Sequence, residues 1–207
     1  ATYAPNALVI AVSNPLDVIA MVTLRESGFA LKRVVGMAGI LDSTRFRYFI
    51  AEKLNVLPQD VMAMVLGGHG DSMVPLPRYT SVAGFPLTEL LDGPTIEALV
   101  DRTRKGGAEI VSYLKRGSAY YAPAASVAKM VEAMIKDEKR FVAASAYLRG
   151  EYGHRDMFLG VPVMLGRNGV EKIYELDLTS QEREALDQSA VAVQEGVKTL
   201  EAIYTPG

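Results

Sequence analysis

The 207-residue sequence contains no cysteine. That removes disulfides, a thiol nucleophile and any Cys-ligated metal site. It also fits a reducing compartment, so a cytoplasmic setting is expected. Histidine is scarce: His69 and His154 are the two in the chain. They are too few, and too far apart, to build a nitrogen- and sulfur-ligated metal centre, so no metal is expected. Net charge is only −2, with the 22 Lys and Arg residues spread along the chain. Such a distribution gives neither a nucleic-acid footprint nor a basic face for a membrane surface. No apolar run is long enough to span a bilayer. The opening residues, Ala1-Thr2-Tyr3-Ala4-Pro5-Asn6, have neither the basic start nor the apolar middle of a signal peptide. They run into a strand without an initiator methionine, which reads as the interior of a longer protein. The balance of 49% hydrophobic and 22% charged residues is that of a globular chain able to bury a core.

Ala7-Leu8-Val9-Ile10-Ala11-Val12 is a continuous apolar run, the signature of a strand buried on both faces of a parallel sheet. Ser13-Asn14-Pro15 stops it. A helical pattern follows over 16–26, closed by Gly28, and a short strand over 33–36. Strand, helix and strand make a βαβ unit with a right-handed crossover. In such sheets ligands sit beyond the carboxyl ends of the strands. Asn14 and the Gly36-Met37-Ala38-Gly39 turn occupy two such ends. Asparagine before proline is also a common turn former, so Asn14 taken alone has two readings.

A helix is expected over 40–54. Asp42 and Arg45 share one face of it, with Asp42 near the N-terminus where the dipole favours a carboxylate. By themselves they read as a solvated ion pair that contributes little. Residues 61–66 form an apolar run of strand length that ends in Gly67-Gly68-His69-Gly70-Asp71. A strand ending in glycines suits a sharp bend or a close approach to a ligand, and a histidine placed there could transfer protons. An ordinary turn with a solvated histidine is an equal reading of the pentapeptide.

Further on, a strand is expected over 78–83. A long helix should start at Pro94, with Ile96, Leu99, Val100, Thr103, Ile110, Val111 and Leu114 on its apolar face. Gly106-Gly107 in its middle marks close packing or a bend. Residues 117–123 read as a loop, and the next helix buries Val127, Met130, Val131 and Met134. Strands over 140–148, 157–165 and 170–176 are joined by short turns and must be antiparallel. His154, in the first of these turns, reads as a surface residue without a role. Thr179 and Glu182 have capping-box spacing, opening a last helix whose face carries Leu186, Ala190, Val193, Val197 and Leu200. The pattern is thus a parallel βαβ piece followed by a mixed α+β region. Two parallel strands are too few for a stable sheet, so they either join another segment or end a longer domain.

Ser13-Asn14-Pro15-Leu16-Asp17, Leu41-Asp42-Ser43-Thr44-Arg45-Phe46 and Gly67-Gly68-His69-Gly70-Asp71 occur in this order and at these separations in the lactate/malate dehydrogenase family. The whole chain resembles the C-terminal part of the lactate-dehydrogenase-like malate dehydrogenases of bacteria. Gly68, where lactate enzymes usually carry an acidic residue, and Ala119-Tyr120-Tyr121-Ala122-Pro123 resemble the malate branch. The resemblance implies an α/β fold: the last strands of a Rossmann-type parallel sheet, then a mixed α+β catalytic domain with antiparallel strands. It implies a division into residues 1–36, the end of a dinucleotide-binding domain, and 37–207, the substrate-binding domain.

It also implies roles. His69 matches the proton donor and acceptor, and Asp42 the carboxylate that holds its imidazole. Arg45 matches the arginine that clamps the substrate carboxylate bidentately, a geometry lysine cannot copy. Asn14 matches the asparagine that contacts substrate and nicotinamide. Val12 and Ser13 match neighbouring cofactor positions, and Met37 and Pro123 line the nicotinamide pocket. The expected reaction is reversible NAD-dependent oxidation of malate to oxaloacetate, in a homodimer or homotetramer. The alternatives are a lactate or other 2-hydroxy-acid dehydrogenase, and an inactive fragment that folds and oligomerises. A hydrolase built from Ser43 or Ser72 with His69 and Asp42 is disfavoured, since no G-x-S-x-G is present. The chain also carries no G-x-G-x-x-G in the family's position, no acidic ribose-binding residue and no mobile substrate loop. The 207 residues alone are therefore expected to be inactive.

Overall fold

The first apolar run forms the edge of a five-stranded mixed sheet. The computed structural model describes residues 1–203; residues 204–207, including the end of the helix expected over 179–204, lie outside the described residues. In chain order come β1 (Val9–Ala11), α1 (Leu16–Ser27), β2 (Val34–Gly36) and α2 (Gly39–Leu54). Five two-residue strands follow: β3 (Val61–Met62), β4 (Val65–Leu66), β5 (Val74–Pro75), β6 (Ser81–Val82) and β7 (Phe85–Pro86). Then come α3 (Leu87–Leu90), α4 (Gly93–Leu114), α5 (Tyr121–Ile135), β8 (Arg140–Arg149), β9 (Arg155–Gly166), β10 (Gly169–Ile173) and α6 (Ser180–Ile203). None of the described helices is long and apolar enough to cross a membrane.

The strand order in the main sheet is β1-β2-β8-β9-β10. β1 and β2 are parallel, as the βαβ pattern requires; β8, β9 and β10 form an antiparallel meander, as their short turns require. Gly36 of β2 pairs with Ser145 of β8 and joins the two parts. The parallel strands therefore do join another segment, and the sheet runs across the expected division between 36 and 37. Its core includes Val35, Leu66, Val161, Met130 and Leu186. A second core, with Phe46, Phe49, Ile50, Ile96 and Leu99, lies between α2 and α4.

Local signals hold at several helix ends. Gly28 closes α1 at φ 63°, its N–H bonded to Leu24 O. At the start of α6 the Thr179 hydroxyl accepts from the Glu182 N–H at 3.2 Å, and the Glu182 carboxylate accepts from the Thr179 N–H at 2.8 Å. Met130 and Met134 are core residues.

Other expectations change. The run over 61–66 is two strands, because β3 pairs with β6 while β4 pairs with β5. An apolar run does not reveal whether it has one partner or two, and Met62 of β3 is 67% exposed. The strand over 78–83 shrinks to β6, since a 3-10 turn occupies Pro77–Tyr79. α5 begins before Pro123, which falls in the first turn where proline is tolerated. The third meander strand stops at Ile173. On α4, Ile96, Leu99 and Thr103 are buried but Val111 and Leu114 are exposed: the core shared with α2 takes in Ile96, Leu99 and Val100 and does not extend to the end of the stripe. His154 is not a free surface residue. Its side chain is 16% exposed and its Nε2 lies 2.8 Å from Asp187 Oδ1, pinning the β8–β9 connection to α6.

Candidate active site

Two chain ends beyond strands and one helix converge on a single cavity. Val12 and Asn14 follow β1, α2 starts just beyond β2, and the glycine-rich loop leaves β4. The loop is anchored by its backbone. Gly67 exchanges hydrogen bonds with Gly160 of β9, N–H to O at 2.8 Å and O from N–H at 3.1 Å. Gly67 has φ 85°, and a side chain at Gly160 would collide with the Gly67 carbonyl, so this crossing needs glycine on both strands. The Gly68 N–H donates to Ser189 Oγ of α6 at 2.8 Å, and the His69 N–H to Asp17 Oδ2 of α1 at 3.1 Å.

With the loop held this way, His69 Nδ1 lies 2.8 Å from Asp42 Oδ2. Arg45 Nη1 donates to the other oxygen of Asp42 at 3.3 Å. The Asp42, Arg45 and His69 side chains are 2%, 10% and 11% exposed, so the pair read as solvated from spacing alone is a desolvated one. Burial is the largest influence on His69 and favours the neutral ring. The hydrogen bond and charge of Asp42 together outweigh it, with Arg45 opposing and Asp17 assisting, and the imidazole pKa is held above its ordinary value. Burial lowers the Arg45 pKa, against the pull of Asp42; a guanidinium nevertheless keeps its charge. Arg45 Nε is buried with no hydrogen-bond partner.

The glycine pair of α4 serves this arginine. A Cβ at Gly106 would stand 3.3 Å from Arg45 Cδ, and one at Gly107 would stand 3.5 Å from Arg45 Nη1. Close packing, not a bend, explains Gly106-Gly107, since α4 runs unbroken through both.

A cavity of about 310 Å³ opens over these groups, lined by Val12, Asn14, Met37, Arg45, His69 and Pro123 among others. Of the residues expected from sequence, Ser13 is exposed and outside this lining. Val12, Asn14, Met37 and Pro123 share this lining with His69 and offer mostly apolar side chains with one amide, chemistry that fits a nicotinamide ring. Among the described residues no group of His, Cys, Asp and Glu could hold a metal ion.

Three contributors were not apparent from sequence. Asp17 is buried, and accepts from the Ser145 hydroxyl of β8 at 2.6 Å as well as from His69 N–H. Burial raises its pKa, partly offset by those two hydrogen bonds and the His69 charge. Ser189 holds Gly68 and donates to Ser72 Oγ at 3.2 Å. Arg104 places a second guanidinium on the cavity wall, its Nε donating to the Met73 carbonyl at 3.3 Å. Asp17 did have a signal, as a carboxylate inside the stretch 13–17, but an acid in a first helical turn ordinarily reads as a solvated dipole partner.

This arrangement of imidazole, carboxylate and guanidinium on a mixed α/β sheet has relatives. A family model described as the α/β C-terminal domain of lactate/malate dehydrogenase matches residues 40–203. The chain belongs to the lactate/malate dehydrogenase family. A malate dehydrogenase from Chlorobium phaeobacteroides is 58% identical over 201 residues, covering 97% of this chain and 65% of the relative. The solved malate dehydrogenase of Salinibacter ruber is 50% identical with a TM-score of 0.94, over 96% of this chain and 65% of that one. The lactate dehydrogenase of Cryptosporidium parvum, solved with lactic acid and nicotinamide adenine dinucleotide, is 44% identical with a TM-score of 0.94, over 99% of this chain and 65% of that one. The chain thus spans just under two thirds of the length of these relatives.

Proposed function

We propose that this chain is the substrate-binding part of an NAD-dependent malate dehydrogenase that interconverts malate and oxaloacetate. The observation that carries the reading is one buried carboxylate, Asp42, bonded to both His69 and Arg45. Arg45 binds the 2-keto acid by the carboxylate next to the carbonyl, through the planar fork of its guanidinium. That contact turns the carbonyl toward His69. The imidazolium, with Nδ1 held by Asp42, gives the proton on Nε2 to the carbonyl oxygen and stabilises its developing charge. In the reverse direction the neutral ring takes the hydroxyl proton of malate. NAD, when bound, supplies or accepts the hydride. Val12, Asn14, Met37 and Pro123 would hold its nicotinamide end, Asn14 also reaching substrate, while Ser13, outside the cavity lining, is left without a contact there.

Residues 1–36 belong, on this reading, with a dinucleotide-binding domain, and 37–207 with the substrate domain. A cytoplasmic homodimer or homotetramer goes with it; the exposed Val111, Tyr113 and Leu114 of α4 support a subunit contact. The second reading, lactate as substrate, is favoured by the likeness to the Cryptosporidium lactate dehydrogenase. Gly68 and the malate dehydrogenase names of the more similar relatives favour malate. The test is NADH oxidation by the native-length protein with oxaloacetate and with pyruvate. Preference for oxaloacetate, lost in His69→Asn with NADH binding kept, is the expected result. Preference for pyruvate would replace malate with lactate.

A further inference from the structure

Asp17 is a second buried acid next to the site, and neither substrate binding nor proton transfer uses it. It is 4% exposed, on the first turn of α1. Its two oxygens face two donors from distant parts of the chain. Oδ1 receives the Ser145 hydroxyl at 2.6 Å, within the range of a charge-assisted O–H···O⁻ bond, and Oδ2 receives the His69 N–H at 3.1 Å. Ser145 sits on β8 opposite Gly36, in the middle of the sheet. Asp17 therefore links the rigid sheet to the backbone of the residue that carries the imidazole. The titratable groups facing it are His69 and Asp42. α6, packed on the other side, presents Ala192, Val193 and Gly196 around a small cavity shared with Asp17 and His69, and no charge.

We propose that Asp17 is a positioning residue for His69: its carboxylate fixes the loop backbone to Ser145, and its negative charge, added to that of Asp42, favours the imidazolium. Asp42 acts on the ring itself and Asp17 acts from behind, through the main chain. Asp17 raises the His69 pKa in the same direction as Asp42. The catalytic part of this inference rests on His69 being the proton donor; the electrostatic part does not.

Asp17→Asn in the native-length protein keeps the shape and removes the charge. Its amide oxygen can still accept from His69 N–H, and its NH₂ can donate to Ser145 Oγ. The His69 imidazole is followed by NMR across pH, its signal identified by loss in His69→Asn. Asp17→Asn should move the His69 midpoint to lower pH by about 0.3 unit or more. It should also lower kcat for oxaloacetate reduction above the His69 midpoint by about twofold for each 0.3 unit of that shift, with KM little changed because Arg45 is untouched. An unmoved midpoint overturns the proposal whatever happens to kcat. Ser145→Ala tests the tether without removing the charge, should Asp17→Asn fold poorly. Faster hydrogen exchange at the His69 amide with a several-fold lower kcat supports it, and unchanged values of both overturn it. Full activity in His69→Asn would instead sink the proton-donor reading, leaving the midpoint shift to judge the electrostatic part.

Discussion

Replacing Asp42 by Asn tests the heart of the site. The change keeps size and leaves one oxygen to accept from His69 Nδ1–H, so the tautomer survives. The amide NH₂ then faces Arg45 Nη1, donor against donor, where a carboxylate oxygen accepted at 3.3 Å. His69 loses the charge that outweighs its burial. Burial remains and favours the neutral ring, so its pKa drops. A hydrogen bond to a charged partner contributes about 1.5–3 kcal/mol. Asn leaves a neutral bond of about 0.5–1.5 kcal/mol in its place, so the imidazolium form loses about 1–1.5 kcal/mol, about five- to tenfold in kcat/KM for oxaloacetate reduction at neutral pH. The sign is definite. Reduction needs the protonated ring, so its kcat/KM falls as pH rises through the His69 pKa, and in Asp42→Asn that fall occurs at lower pH. Malate oxidation needs the neutral ring, so its rise moves to lower pH too. Stability follows the same group: a raised histidine pKa stabilises the fold below the unfolded-state value and is lost as pH rises through the folded one, so the variant should lose stability mainly on the acid side. The assay is kcat/KM in both directions across pH on the native-length protein, under conditions where chemistry limits the rate. An unmoved pH profile in Asp42→Asn would refute the pairing as the source of the raised pKa.

Arg45→Lys keeps the charge but loses the planar fork, and should cost about 2–4 kcal/mol in transition-state binding, read as kcat/KM for oxaloacetate; unchanged kinetics would remove Arg45 as the carboxylate clamp. Thr179→Ala removes one half of the capping box at α6 and should lower stability by about 1 kcal/mol in denaturant unfolding, with KM unchanged. The 207-residue chain produced alone should neither bind NADH detectably nor reduce oxaloacetate, because it holds no G-x-G-x-x-G phosphate loop in the family's position; turnover by a sample of verified mass would contradict this.

The sequence by itself determined the local elements. Gly28 ends α1, and Thr179 with Glu182 starts α6, because a cap is made by residues within a few positions of one another. The apolar run of β1 and the short turns of the meander fixed strand type and direction for the same reason. It also supplied the three stretches that carry the family resemblance, and with them His69, Asp42, Arg45 and Asn14. Tertiary structure decided what those residues meet. The Asp42–Arg45 spacing fits a solvated pair as well as a buried one; only the packing of α4, with glycines at 106 and 107, takes it out of water. The run over 61–66 splits because β5 and β6 return to different halves of it. His154 gains Asp187 only when α6 lies across the meander. Asp17 is the clearest case: its partners are 52 and 128 residues away, so no local period or propensity can say that it points inward. Burial and partner choice depend on which distant surfaces close over a residue, and that is settled by the three-dimensional packing of the chain.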